Sequence, residues 1–250
     1  MADTSLVVDY PPLKRHREEL REQRRLRRRR LMIAVPIAGL TVAAAAGWSA
    51  PLAVMLAGVA ALVIFFLALP GSSSVDAGQL AGVEGEAAVL EQLKRLPDDF
   101  LILNRIRLPD ETLTNGEREL DFIVGGPTGL WVVEVKNTPG HVQVRPGEKH
   151  WPLARRAGCG SRPSWNAMPS PIEQARAQVA ALERWLLKNG INARARAVIV
   201  LAHPEVAIAD ADAAEMPVLV RDQVVAFFNS QSKQTIAPSV SRRLADLRPG

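Results

Sequence analysis

From Leu31 to Val75 the chain runs for 45 residues without a charged side chain, and this feature constrains the rest more than any other. The stretch is too long for one membrane-spanning helix, which needs about 20 apolar residues. It divides at Gly47-Trp48-Ser49-Ala50-Pro51, where glycine and proline disfavour a continuous helix and tryptophan suits an interface. The expectation is a transmembrane helical hairpin with spans of roughly 31–47 and 51–69. A cleaved signal peptide fits poorly, because its positive region would be 30 residues long and Pro51 would sit just past the cut.

Charge is equally lopsided. Of 31 Lys/Arg and 26 Asp/Glu, residues 1–30 hold 10 and 5, which leaves 21 of each sign for the remaining 220 residues. The high isoelectric point therefore describes a basic segment and not a basic domain, and it does not argue for nucleic-acid binding by the domain. Arg24, Arg25 and Arg27–Arg30 abut the first apolar stretch, and positive flanks stay cytoplasmic. A hairpin returns the chain to the same side. The reading is thus an integral membrane protein in contact with the lipid bilayer through residues 31–70. Its basic segment 1–30 and C-terminal domain would both be cytoplasmic. The Ala and Arg content suggests a bacterium with a GC-rich genome, and hence its plasma membrane.

Cys159 is the only cysteine, so an intramolecular disulfide is impossible. His16, His141, His150 and His203 show no zinc spacing. After a polar linker at 71–77, containing Gly71-Ser-Ser-Ser74, the pattern becomes that of a soluble domain extending to residue 229. Helical periodicity covers 83–96, and Phe100–Leu108 reads as a strand. Glu119–Val124 and Leu130–Lys136 read as two more, joined by Gly125-Gly126-Pro127-Thr128-Gly129. Val142–Val144 and the region of Trp151 suggest a small hairpin, and residues 153–169 look irregular. Ser170-Pro171-Ile172-Glu173 has the pattern of an N-cap with a capping box, opening a helix that Gly190 stops. Ala197–Leu201 and Val218–Val220 read as strands and Gln223–Phe228 as a short helix. The tail at 230–250 is polar and expected to be loose. Helix, three strands, helix, strand indicates a mixed α/β sandwich.

The chemistry concentrates on two strands. Side chains alternate faces, so Glu134 and Lys136 share one face with Val132, while Asp121 shares a face with Glu119 and Ile123. If the two strands form a hairpin, Asp121 and Glu134 lie side by side. Two carboxylates on an otherwise apolar sheet are costly unless compensated. Repulsion would raise one pKa, or a divalent cation would neutralise both. Mg²⁺ prefers oxygen ligands and keeps several waters, and it lowers the pKa of a bound water. Lys136 would orient that water or stabilise developing negative charge. Glu86 falls within the apolar stripe set by Val83, Leu90 and Leu93, so it should point toward the same sheet. The competing readings are a solvated strand with ordinary charge pairing and a stripe-edge glutamate reaching water. Trp151 and Trp165 are candidates for base stacking, and Arg155, Arg156 and Arg162 for phosphate contacts.

Gly82-Val-Glu-Gly85-Glu86, Glu119-Leu-Asp121-Phe-Ile-Val, Gly129-Leu-Trp-Val-Val-Glu134-Val-Lys136-Asn137, Gly140, Trp151 and Pro171-Ile-Glu-Gln174 together resemble the nuclease-related domain (NERD) of the PD-(D/E)XK nuclease-like superfamily. The resemblance spans roughly residues 78–205. It implies a restriction-endonuclease-like αβββαβ core, here following two transmembrane helices, a Mg²⁺ or Mn²⁺ site, and cleavage of DNA or RNA. Carried onto this chain, it makes Asp121 and Glu134 metal ligands and Lys136 the catalytic base or charge stabiliser. Glu86 becomes an accessory acid and Gln174 a polar residue at the site edge. Ser170 stands where the family often has Asn, a change that keeps the capping chemistry. Two readings compete with a membrane-anchored nuclease. One is a catalytically inactive nucleic-acid-binding or protein-interaction module tethered to the membrane, and the other is a scaffold.

Overall fold

A computed structural model describes residues 2–4, 7, 8, 10–47, 50–68, 77–155 and 164–247. The linker at 71–76, Trp48, Arg156, Cys159 and Arg162 lie outside the described residues. The chain forms two compact units, one of residues 11–80 and one that joins residues 1–10 to 81–250.

The smaller unit contains α1 (Pro11–Ala46) and α2 (Ala50–Ala68). The expected break near residue 47 is present. The expected start at residue 31 is not, because the basic segment and the first apolar stretch form one 36-residue helix. Arg and Leu are both good helix formers, so nothing in the local chemistry stops the helix at the charge boundary. Pro36 lies inside α1, where it removes one backbone donor, and Thr41 Oγ1 donates to the Ile37 carbonyl at 2.8 Å. Among the described residues no helix is long and apolar enough to cross a membrane, so the expected spanning hairpin is not supported.

The larger unit opens with α3 (Ala77–Leu93) and a three-stranded meander: β1 (Leu101–Pro109), β2 (Glu117–Gly126) and β3 (Gly129–Lys136). Three short strands follow, β4 (Gly140–Gln143), β5 (His150–Arg155) and β6 (Ser164–Pro169). Then come α4 (Ile172–Lys188), β7 (Ala195–Leu201), β8 (Val206–Ala209) and β9 (Val218–Val220). The chain ends with α5 (Val224–Ser230) and α6 (Pro238–Leu244). The larger sheet has the order β1-β2-β3-β7-β9, antiparallel across β1–β3 and parallel from β3 to β9. A smaller sheet has the order β6-β5-β4-β8. This is a mixed α/β fold with two sheets.

Burial on both faces explains why β3 reads as a nearly continuous apolar run. Leu130 and Val132 on one face pack with Leu182 and Leu186 of α4 and with Val240, Leu244 and Leu247 of the tail. On the other face, Trp131 meets Phe227 and Phe228 edge-on. Val142, Trp151, Leu153 and Met168 of the smaller sheet join Ala175 and Ile199 in a second cluster.

Several expectations are corrected here. The tail expected to be loose carries α6 and contributes three residues to the main core, because Val240, Leu244 and Leu247 recur at helical spacing. Part of the stretch read as irregular forms β6, paired with β5 along its length. At the start of α4 the N-cap is Pro171, and no side chain closes a capping box. Ser170 Oγ accepts from the Ile172 N–H at 3.4 Å, while Glu173 pairs with Arg176. Residues 2–10 do not belong with the basic helix. Asp3 bridges Leu101 in parallel, and its N–H and C=O bond to Phe100 O and Ile102 N at 2.8 and 3.0 Å.

Candidate active site

The geometry of the site follows from the register between β2 and β3. Phe122 pairs with Val133 at the end of the antiparallel ladder, so continuing the register puts Asp121 and Glu134 on one face, and the Glu134 charge acts on Asp121. Regular pairing ends there. Arg105 on β1, which a regular ladder would place opposite Asp121, has φ of +53° and drops out of the β1–β2 register. A non-glycine residue in the left-handed region marks a local distortion. With the ladder opened, the Asp121 carboxylate takes a backbone role: its Oδ2 accepts the Val135 N–H at 2.7 Å.

The crossover from β3 to α4 supplies the remaining parts. β3 advances about 6.6 Å for every two residues and a helix about 6 Å for every four, so alternate strand positions match helix positions four apart. Leu130 and Val132 face the apolar part of α4, and the next two strand positions meet its polar end. Gln178 Nε2 donates to Glu134 Oε2 at 2.6 Å and to the Glu119 carbonyl at 3.2 Å. Lys136 Nζ forms an ion pair with Glu134 Oε1 at 2.6 Å and donates to Gln174 Oε1 at 2.8 Å. The structure thus brings Asp121, Glu134, Lys136 and Gln174 together. It adds Gln178, which the sequence reading passed over. Gln178 sits three residues after Ala175 and four before Leu182, a polar side chain inside the apolar stripe. The same pattern drew attention to Glu86, so the signal was available.

Glu86 arrives from α3. That helix approaches the end of β3 closely because position 85 is glycine: a Cβ there would lie 2.6 Å from Asn137 Cβ. Asn137 Nδ2 donates to the Ala81 carbonyl at 2.6 Å and holds the contact. The Gly85-Glu86 and Lys136-Asn137 pairs are therefore two halves of one packing device.

The electrostatics single out this cluster. Glu134 is wholly buried, and burial raises its pKa against the opposing pull of Lys136 and Gln178. Asp121 is raised further, by burial first and then by the Glu134 charge. Glu86 is raised to about 7, mainly by burial, with Arg105 opposing and the charges of Glu119 and Glu134 adding. Buried carboxylates elsewhere behave differently. Asp110 accepts from Thr112 Oγ1 at 2.7 Å and pairs with Arg118 at 2.5 Å and Arg184 at 3.2 Å, and its pKa is pushed down, by Thr112 foremost. Asp110 is satisfied. Glu86, Asp121 and Glu134 are all raised by burial first, and the buried Glu86 Oε2 and Gln178 Oε1 lack hydrogen-bond partners among the described residues.

The carboxylate oxygens are the donor type that a hard divalent cation takes, but both Glu134 oxygens are engaged here, Oε1 by Lys136 and Oε2 by Gln178. Among the described residues no group of three or more His, Cys, Asp or Glu is placed to hold a metal. Of the other candidates, Trp151 is buried and donates to the Arg145 carbonyl at 3.1 Å, so it is a core residue. Trp165 is 67% exposed. A cavity of about 550 Å³ lies at the opposite end of β3, lined by Gly129, Leu130 and Arg196 among others, away from the carboxylates.

A mixed α/β sheet thus carries an Asp, a Glu and a Lys on adjacent strands, with two glutamines presented by α4. Comparison with known families finds that residues 81–202 match the family described as nuclease-related domain (NERD). Neither the curated proteins nor the solved structures contain a match.

Proposed function

We propose that this protein is a metal-dependent nuclease that hydrolyses phosphodiester bonds of DNA or RNA at Asp121, Glu134 and Lys136. The observation that carries the proposal is the half-buried Asp121 and the buried Glu134, both with raised pKa, beside a single lysine. A protein gains no stability from burying uncompensated charge, so such an arrangement points to a task.

Asp121 and Glu134 would hold Mg²⁺ or Mn²⁺, which when bound supplies Lewis-acid polarisation and a more acidic water. Lys136 presents a cation at the mouth of the site, held between Glu134 and Gln174, where it can stabilise negative charge on a phosphate or orient a water. Gln178 fixes the Glu134 carboxylate through its amide N–H, so the acid does not have to reorganise when substrate arrives. The exposed Trp165 offers a flat face for a base of the bound strand.

The exposed apolar side chains of α1 and α2, such as Ile33, Leu40, Val59 and Phe65, support a second element of the proposal. We read them as the surface that meets lipid, with the preceding arginines drawn to anionic headgroups.

The test is cleavage of single- and double-stranded DNA and RNA by the full chain, with Mg²⁺ and with chelator. Metal-dependent cleavage that Asp121→Asn and Lys136→Ala abolish at unchanged folding supports the proposal. Cleavage that those variants leave intact refutes it. Flotation with anionic liposomes checks the lipid contact, and a chain that stays unbound refutes that element alone.

A further inference from the structure

The described residues at the start of the chain, 2–4, 7, 8 and 10, belong to the same unit as the site and end on the chain's one tyrosine. The segment is fixed at two points. Asp3 pairs with the edge of β1, and Asn104 clamps Val8, accepting its N–H at 2.9 Å and donating to its carbonyl at 3.0 Å. Asn104 is fully buried, so an internal amide of the sheet is committed to holding a segment 96 residues away. Tyr10 follows, 6% exposed. Its hydroxyl lies within the electrostatic reach of Glu86, Asp121 and Arg105, and Asn104 is near. Asn104 is the hydrogen-bonding neighbour of that hydroxyl, but the contact falls short of full hydrogen-bond geometry and no other partner reaches it among the described residues.

A buried phenol held only by a marginal contact to Asn104 costs free energy, and phenylalanine would fill the same space without that cost. The unpartnered Glu86 Oε2 and Gln178 Oε1 border the same carboxylate cluster. Three polar atoms left open around one cluster indicate a polar guest. Tyr10 can donate, and burial raises its pKa, so it remains a donor throughout the physiological range.

We propose that Val8 and Tyr10 form part of a wall of the active site and that the Tyr10 hydroxyl donates a hydrogen bond to a non-bridging phosphate oxygen of the bound strand. The inference rests on the nuclease reading for the identity of the ligand, but not for the position of Tyr10. It makes the catalytic domain discontinuous: a fragment beginning after α2 would lack part of its own site.

Tyr10 is the only tyrosine in the chain, so labelling tyrosine with carbon-13 at Cζ gives a single resonance from the full-length protein. Paramagnetic Mn²⁺ should broaden that resonance, and Glu134→Gln should abolish the effect. Tyr10→Phe should melt at or above the wild-type temperature while losing about 10- to 100-fold in kcat/KM, the range for one hydrogen bond to a charged group. Val8→Pro, which removes the N–H that Asn104 accepts, should weaken both the broadening and the cleavage with Tyr10 intact. A Tyr10 resonance that Mn²⁺ leaves sharp overturns the proposal, as does a Tyr10→Phe enzyme that cuts at the wild-type rate. Broadening that depends on Glu134 in a chain that cleaves nothing supports the position of Tyr10 and sinks only the nuclease reading.

Discussion

Replacing Glu86 with glutamine should stabilise the protein, by an amount that depends on pH in a defined direction. Burial lifts the Glu86 carboxyl from its ordinary 4.5 to about 7, so the folded state holds a proton that the unfolded state has released. Stability from this group is therefore fully present below pH 4.5 and is lost as pH rises through 7. The difference in pKa corresponds to about 3 kcal/mol at pH 8, an upper value because Glu86 keeps some contact with solvent. Glu86→Gln keeps the shape and removes the charge. At pH 4 the variant and the wild type should melt together. At pH 8, without divalent metal, the variant should melt higher by up to about 6–12 °C, taking about 2–4 °C per kcal/mol for a domain of this size. Added Mg²⁺ should narrow the gap by stabilising the wild type more. Thermal melts of the full chains from pH 4 to 8 make the measurement. Parallel melting curves at every pH would refute the claim that Glu86 is held in an environment hostile to its charge.

Three further substitutions probe the scaffold. Gly85→Ala should cost about 1–3 kcal/mol by overpacking, read as a lower melting temperature, since its Cβ would collide with Asn137; an unchanged melt would show that α3 does not need its close approach. Leu244→Ala should cost about 2–5 kcal/mol in chemical denaturation, as for a core leucine and unlike a residue in a loose tail. Gln178→Leu should leave Glu134 Oε2 without its donor and lower kcat by about tenfold or more with KM little changed; an effect confined to KM would remove Gln178 from its positioning role.

How much of this was legible in the sequence depends on the range of the interaction. The facing of Asp121 and Glu134 follows from strand alternation and a turn-rich connector of a few residues, and both are local signals. Lys136 and Gln174 likewise fall where two-residue and four-residue periodicities put them. Gln178 was equally visible in the stripe of α4 but was passed over beside the more familiar Gln174. The docking of residues 2–10 on β1 had no such signature, because one bridge and one asparagine clamp join segments almost 100 residues apart. Arg105 shows the same limit: its left-handed conformation answers to a break in the ladder at Asp121, and no turn residue announces it. β6 was missed because five of its six residues are exposed, so its pattern lacks alternation. The nuclease-related match ends at residue 202, yet β9, α5, α6 and the N-terminal segment complete the sheet, the core and the wall around it.

The account turns on whether Asp121 and Glu134 share one cation. Anomalous diffraction from crystals of the full-length protein soaked in Mn²⁺ tests this directly. A single strong peak touching both carboxylates, and absent from Glu134→Gln crystals, is the predicted result. A peak elsewhere, or no peak while Lys136 keeps its ion pair with Glu134, would contradict it.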